Sequence, residues 1–251
     1  MATQSSRPRG AATTAVIALL ILALGLAIGW IVRGQRSSDN QAAIEQTVRD
    51  YLLAHPEVLP EAMERLRDNE GRSQLASIRT EVARPFPGAV LGNPAGTKTL
   101  IEFSDYACGY CRQSVADVNA LVAADPNLRV VMRELPILSP QSADAARWAL
   151  AAAEQGKYAA FHQALFAAGR PDPATIAAAA QTAGLDLARA RITIADPRVE
   201  AELKRNVSYA RTLGFQGTPS WITGDQVFSG AVGRDKLTQA MRARTEAAAG
   251  T

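Results

Sequence analysis

Lys98-Thr-Leu-Ile-Glu-Phe-Ser104, followed at once by Asp105-Tyr-Ala-Cys108-Gly-Tyr-Cys111, decides how this chain folds. The first seven residues carry the apolar and β-branched side chains of a buried strand. Val115, Val118, Leu121 and Val122 then recur at helical spacing, so the motif Cys108-Gly109-Tyr110-Cys111 falls where a strand turns into a helix. A helix N-terminus offers an anion its free N–H groups and the positive end of the macrodipole, which makes Cys108 the expected nucleophile. Cys111, about one turn later, is spaced to attack a mixed disulfide on Cys108 and release the substrate, as a resolving thiol does.

Two plainer readings compete with a working dithiol. A bridge across so short a loop constrains the unfolded chain by only roughly 2 kcal/mol, a poor staple. Zinc needs about four ligands, and with no other cysteine it would have to recruit His55 and His162 from distant, unrelated segments. The redox reading is preferred, and no metal site is expected.

Glu102 lies inside the strand that precedes the motif. Buried there, a carboxyl holds its proton tightly and can relay it to or from the resolving thiol; facing solvent, it does nothing of the kind. Far downstream, Gly217-Thr218-Pro219-Ser220-Trp221-Ile222-Thr223 reads as a loop entering a short strand with proline at its first position, where the lost ladder bond is tolerated. Taken alone, Thr218-Pro219 is an ordinary trans bond on base rates.

Outward from this core, Ala11 to Val32 is uncharged and dominated by Ala, Leu, Ile and Val. At ~1.5 Å per residue it is long enough for a ~30 Å hydrocarbon core. The expectation is an uncleaved, single-pass anchor within residues 1–38, with the short basic N-terminal arm in the cytoplasm and the rest outside. A cleaved signal peptide, leaving a soluble periplasmic protein, is the alternative. Arg7, Arg9, Arg33 and Arg36 are the only charged residues up to Ser38; removing these four from the 27 Lys and Arg leaves 23 against 24 Asp and Glu. The remainder is nearly neutral, which argues against nucleic acid. No phosphate-cradling Gly-rich loop, flavin or nicotinamide motif, or Ser-His-Asp signature is present.

Residues 39–87 read as a helical segment. Ile44, Val48, Tyr51 and Leu52 form one apolar stripe, and Met63, Leu66, Leu75, Ile78 and Val82 form another beyond Pro56 and Pro60. This face must pack either on the chain's own domain or on another copy through residues 39–83. Arg84-Pro-Phe-Pro-Gly88 ends it, and residues 88–251 form the catalytic domain. Within that domain, Leu128–Leu135 is a second strand, and residues 139–213 are an Ala-rich helical insertion punctuated by Gly156, Gly169-Arg-Pro171, Gly184 and Asp196-Pro197. Trp148, Tyr158, Phe161, Leu165 and Phe166 are its expected core, with His162 a packed or surface histidine. Two short runs around Gly224-Asp225 form a hairpin, and a helix from about Arg234 to Arg244 closes the chain.

Taken together, Glu102-Phe-Ser-Asp-Tyr-Ala-Cys-Gly-Tyr-Cys111, Gly214-Phe-Gln-Gly-Thr-Pro219, Arg133-Glu-Leu-Pro-Ile-Leu138 and Tyr51-Leu-Leu-Ala-His-Pro-Glu-Val-Leu59 resemble the DsbA-like thiol-disulfide oxidoreductases of the thioredoxin superfamily. Within that branch the chain is most similar to the group that includes the suppressor of copper sensitivity C (ScsC-like) proteins. The resemblance implies an α/β thioredoxin fold with an inserted helical subdomain, and a cis Thr218-Pro219 bond beside the dithiol where a substrate strand pairs. It also implies that Cys108, Cys111 and Glu102 are catalytic, and that residues 39–83 act as an oligomerising stalk. The implied activity is exchange on envelope proteins that contain cysteines, with no cofactor beyond the Cys108-Cys111 dithiol and with recycling by a membrane partner of DsbB or DsbD type. Gly109-Tyr110 departs from the Pro-His of the type member and leaves the direction of electron flow open. The rival reading is a Cu(I)-binding or copper-tolerance protein using the same two thiolates.

Overall fold

A computed structural model describes residues 10–249, in the order α1 (Gly10–Ala54), α2 (Val58–Val82), β1 (Val90–Gly92), β2 (Lys98–Ser104), α3 (Gly109–Ala124), β3 (Leu128–Glu134), α4 (Pro140–Glu154), α5 (Tyr158–Ala168), α6 (Pro173–Thr182), α7 (Leu187–Ala195), α8 (Pro197–Thr212), β4 (Ser220–Thr223), β5 (Gln226–Ser229) and α9 (Gly233–Ala249). The chain divides into two compact units, Met1–Glu64 and Arg65–Thr251.

In the first unit the backbone of α1 continues through residues 33–40, across the expected boundary at 38/39. Among the described residues no helix is long and apolar enough to cross a membrane. Of the expected span, the side chains of residues 11–18, 28, 29, 31 and 32 lie outside the described ones. Leu19, Leu20, Ile21, Leu22, Leu24, Leu26 and Trp30 are exposed, as are Ile44, Val48 and Tyr51.

The second unit is built on a five-stranded sheet ordered β1-β3-β2-β4-β5. β2 and β3 run parallel at its centre, and the other pairings are antiparallel. Strand alternation sorts the core into two faces. Leu100, Val130, Met132 and Trp221 pack with Cys111, Val118, Leu121 and the helices of the insertion, while Ile101, Phe103, Val131 and Ile222 pack with Leu75 and Val82 of α2 and with Tyr209, Leu213 and Phe215. The later half of α2 therefore belongs to this unit. Gly71 sits in α2 where a Cβ would come within 2.3 Å of Val227 Cγ2, so its absence lets the helix close on β5. The end of α2 is held by Arg133, fully buried on β3, which donates to the carbonyls of Glu81, Val82 and Arg84 and to the side chains of Glu202 and Asn206.

Polar residues bound the helices of the insertion where the punctuation indicates. Ser139, Asp172, Asp186 and Asp196 cap α4, α6, α7 and α8 with side-chain oxygens, and α4, α6 and α8 begin on a proline. β1 carries no readable periodicity in its three residues; pairing with β3 creates it.

Candidate active site

The chain leaves β2 at Ser104 and turns on Asp105. One Asp105 oxygen accepts from Ala107 N at 2.8 Å, and the other accepts from Ile137 N and Leu138 N at 2.9 Å each. This buried carboxylate ties the loop before the dithiol to the loop after β3. Cys108 is the N-cap of α3, its backbone N–H donating to Asp105 O at 3.0 Å and its sulfur accepting from Cys111 N at 3.4 Å. Both thiols are free. Cys108 Sγ also donates to Thr218 O at 3.2 Å, and the Thr218-Pro219 peptide is cis. A loop that lies 110 residues away in sequence is thus seated on the first cysteine.

The two sulfurs differ in access. Cys111 is sealed at 0% exposure, Cys108 retains 5%, and Tyr110 between them is 63% exposed. A Cβ placed on Gly109 meets no atom within 4 Å, so the motif presents open space on its outer side. The arrangement sets Cys108, at the helix start and bonded to the Thr218 carbonyl, outside the fully buried Cys111.

Glu102 is buried, at 2% exposure, and the sheet register sets it between Met132 and Trp221. Burial pushes its proton affinity well above the ordinary carboxylate value, and the charges of Glu134 and Cys108 push it further. Cys111 is raised well above an ordinary thiol, first by burial and then by Glu102. The Asp105 backbone and the hydroxyls of Thr218 and Ser104 oppose that rise by favouring the thiolate. Ser104 Oγ and Thr218 Oγ1 are otherwise without a hydrogen-bond partner. These two hydroxyls stand ready to solvate a thiolate at Cys111.

Sequence reasoning missed Glu134. It is 1% exposed on β3, register partner of Ser104, and its Oε1 accepts from Tyr158 Oη at 2.6 Å and from Tyr106 Oη at 3.4 Å. Its pKa is pushed up to about 8 by burial against the two tyrosines' hydrogen bonds. His162 Nδ1 lies 3.2 Å from Tyr106 Oη, and burial lowers that imidazole to about 4. The signal available beforehand was the adjacent pair Arg133-Glu134 in a valine-rich strand: two charges on opposite faces cannot both reach water if the strand is central. Among the described residues no group of three His, Cys, Asp or Glu side chains converges to hold a metal ion.

The family described as DSBA-like thioredoxin domain matches residues 99–242, more than half of the chain. This chain belongs to the DSBA-like thioredoxin domain family. Residues 40–71 match a second family, described as the N-terminal domain of the copper resistance protein ScsC. Among solved structures, a thioredoxin-like oxidoreductase from Silicibacter pomeroyi DSS-3 is 45% identical with a TM-score of 0.59, covering 62% of this chain and 91% of that one. A linker-deletion mutant of Proteus mirabilis ScsC is 26% identical with a TM-score of 0.66, covering 82% and 95%. A periplasmic thioredoxin-like protein from Salmonella enterica serovar Typhimurium is 28% identical with a TM-score of 0.59, covering 66% and 94%. The chain spans about a quarter of the length of the curated relatives it matches: it is 33% identical over 156 residues to Na(+)/H(+) antiporter NhaA 1 of Salinispora arenicola, covering 61% of this chain and 24% of that protein.

Proposed function

We propose that this DsbA-like chain performs thiol-disulfide exchange on cysteine-containing proteins, with Cys108 forming the mixed disulfide and Cys111 resolving it. The observation that carries this is a pair of free thiols at one helix N-terminus, the first of which caps the helix and bonds Thr218 O while the second is fully buried. In the oxidising direction a substrate thiolate attacks Cys108 Sγ, the Cys108-Cys111 bond breaks, and the electron pair leaves on Cys111. Glu102 gives that sulfur its proton, while the Ser104 and Thr218 hydroxyls hold it until then. A second substrate thiolate then attacks the substrate sulfur joined to Cys108, leaving an oxidised substrate and a reduced dithiol. A substrate segment lying along Thr218-Pro219 brings its cysteine to Cys108. Serine at position 108 is expected to abolish exchange with a small-molecule disulfide; retained exchange overturns the assignment.

The same chemistry run backwards reduces or isomerises disulfides. Equilibration of the dithiol in glutathione buffers separates these uses, because each ~30 mV is a tenfold change in equilibrium for a two-electron couple. We place the catalytic unit in the periplasm, supported by its relation to periplasmic ScsC-type and thioredoxin-like proteins. The uncharged stretch Ala11–Val32, with its exposed leucines and Trp30, supports a tether to the inner membrane, where a DsbB- or DsbD-type partner recycles the dithiol. Copper chemistry has one foothold: the ScsC match covers residues 40–71, which hold no cysteine, so Cu(I) would have to use Cys108 and Cys111. Stoichiometric Cu(I) binding by a protein that fails to turn over disulfides favours that reading instead.

A further inference from the structure

Glu134 shares the Cys111 face of the sheet with Glu102, yet no step above uses it. The polar groups on that face come from several elements. β2 contributes Glu102, with Ser104 and Asp105 at its end; the following loop contributes Tyr106; α3 contributes Cys108 and Cys111; α5 contributes Tyr158 and His162. From α8, Asn206 Nδ2 donates only to the Glu134 carbonyl, and the neighbouring cation Arg133 turns to the other face, toward Glu202. No cation therefore stands among the groups named around Glu134. Its Oε1 takes the Tyr158 and Tyr106 hydroxyls, while its Oε2 is buried without a partner, as is the hydroxyl of Ser104 across the ladder.

Resting on the exchange reading of Cys108 and Cys111, we propose that Glu134 is a positioning residue for it: its charge decides whether Glu102 keeps or surrenders the proton that Cys111 needs. Two carboxylates buried on one face of the sheet repel, so Glu102 can release its proton to Cys111 most readily while Glu134 is neutral. The proton balance is closed. Cys111 leaves the disulfide as a thiolate and takes one proton from Glu102, Glu102 regains one from solvent after the substrate has left, and the substrate thiols are the only reductant.

The test is a carbon-detected titration of the Glu102 carboxyl in the full reduced chain, beside the pH profile of oxidised protein reacting with a dithiol peptide. Glu134→Gln keeps an oxygen for Tyr158 but cannot ionise. It is expected to move the Glu102 midpoint down by roughly one pH unit or more and to shift the alkaline limb of the rate profile in the same direction. Tyr158→Phe, which removes a donor that favours the Glu134 anion, is expected to move the midpoint the same way by less, and carries the test if Glu134→Gln does not fold. A Glu102 midpoint indifferent to both changes, in protein that exchanges disulfides, overturns this proposal alone. Loss of exchange in the unaltered chain overturns the parent reading and this one with it.

Discussion

Glu102, Glu134 and His162, all buried, give the protein a pH signature, with the two carboxyls raised and the imidazole lowered. Folding raises Glu134 from an ordinary value of 4.5 to about 8, so between those pH values the folded chain binds the extra proton. Its contribution is fully present below about 4.5 and is lost as pH rises through 8. His162 falls from 6.5 to about 4, so its contribution is present above 6.5 and is lost as pH falls through 4. Urea unfolding at about pH 5 and about pH 8 is expected to show Glu134→Gln gaining on the unaltered protein by on the order of 3 kcal/mol as pH rises. An unchanged difference would mean that Glu134 is ionised in the folded state. Glu102→Gln removes the charge that raises Cys111, so the Cys111 thiolate should form at lower pH, read from thiolate ultraviolet absorbance. The same change is expected to slow exchange by on the order of a hundredfold, the lower end for a lost general acid.

At the scale of elements, the later half of α2 is a structural part of the catalytic unit. Leu75 and Val82 are fully buried, and Arg133 holds the last carbonyls of the helix. Leu75→Ala is expected to cost about 2–5 kcal/mol in urea unfolding of that unit, whereas Leu66→Ala, at 58% exposure, should cost almost nothing there. Much of this layer was legible beforehand. The Lys98–Ser104 strand, the helix after Cys108, the Gly224-Asp225 hairpin and the Gly- and Pro-punctuated helical region from 139 to 213 are each written in local pattern. β1 is not, because three residues define no period, and neither is the close approach of Val227 that leaves no room for a Cβ at Gly71. Nor does alternation say which face of β2 is dry. Glu102 is buried because Met132 and Trp221 flank it, and that is a fact of register between distant segments.

For the whole molecule, the exposed Ile44, Val48 and Tyr51 of α1 make the expected assembly through residues 39–83 a proposal to test, in which the buried Leu75 and Val82 take no part. Light scattering is expected to give an oligomer for a chain beginning at Ser38 and a monomer for one beginning at Arg65; equal masses per chain would remove the stalk. The central claim concerns two sulfurs with different work. Mixed with a peptide disulfide and read by intact mass, reduced Cys111→Ser should accumulate a peptide adduct on Cys108, whereas reduced Cys108→Ser should remain unmodified. Adducts formed at equal rates on both variants, or only on Cys111, would contradict it.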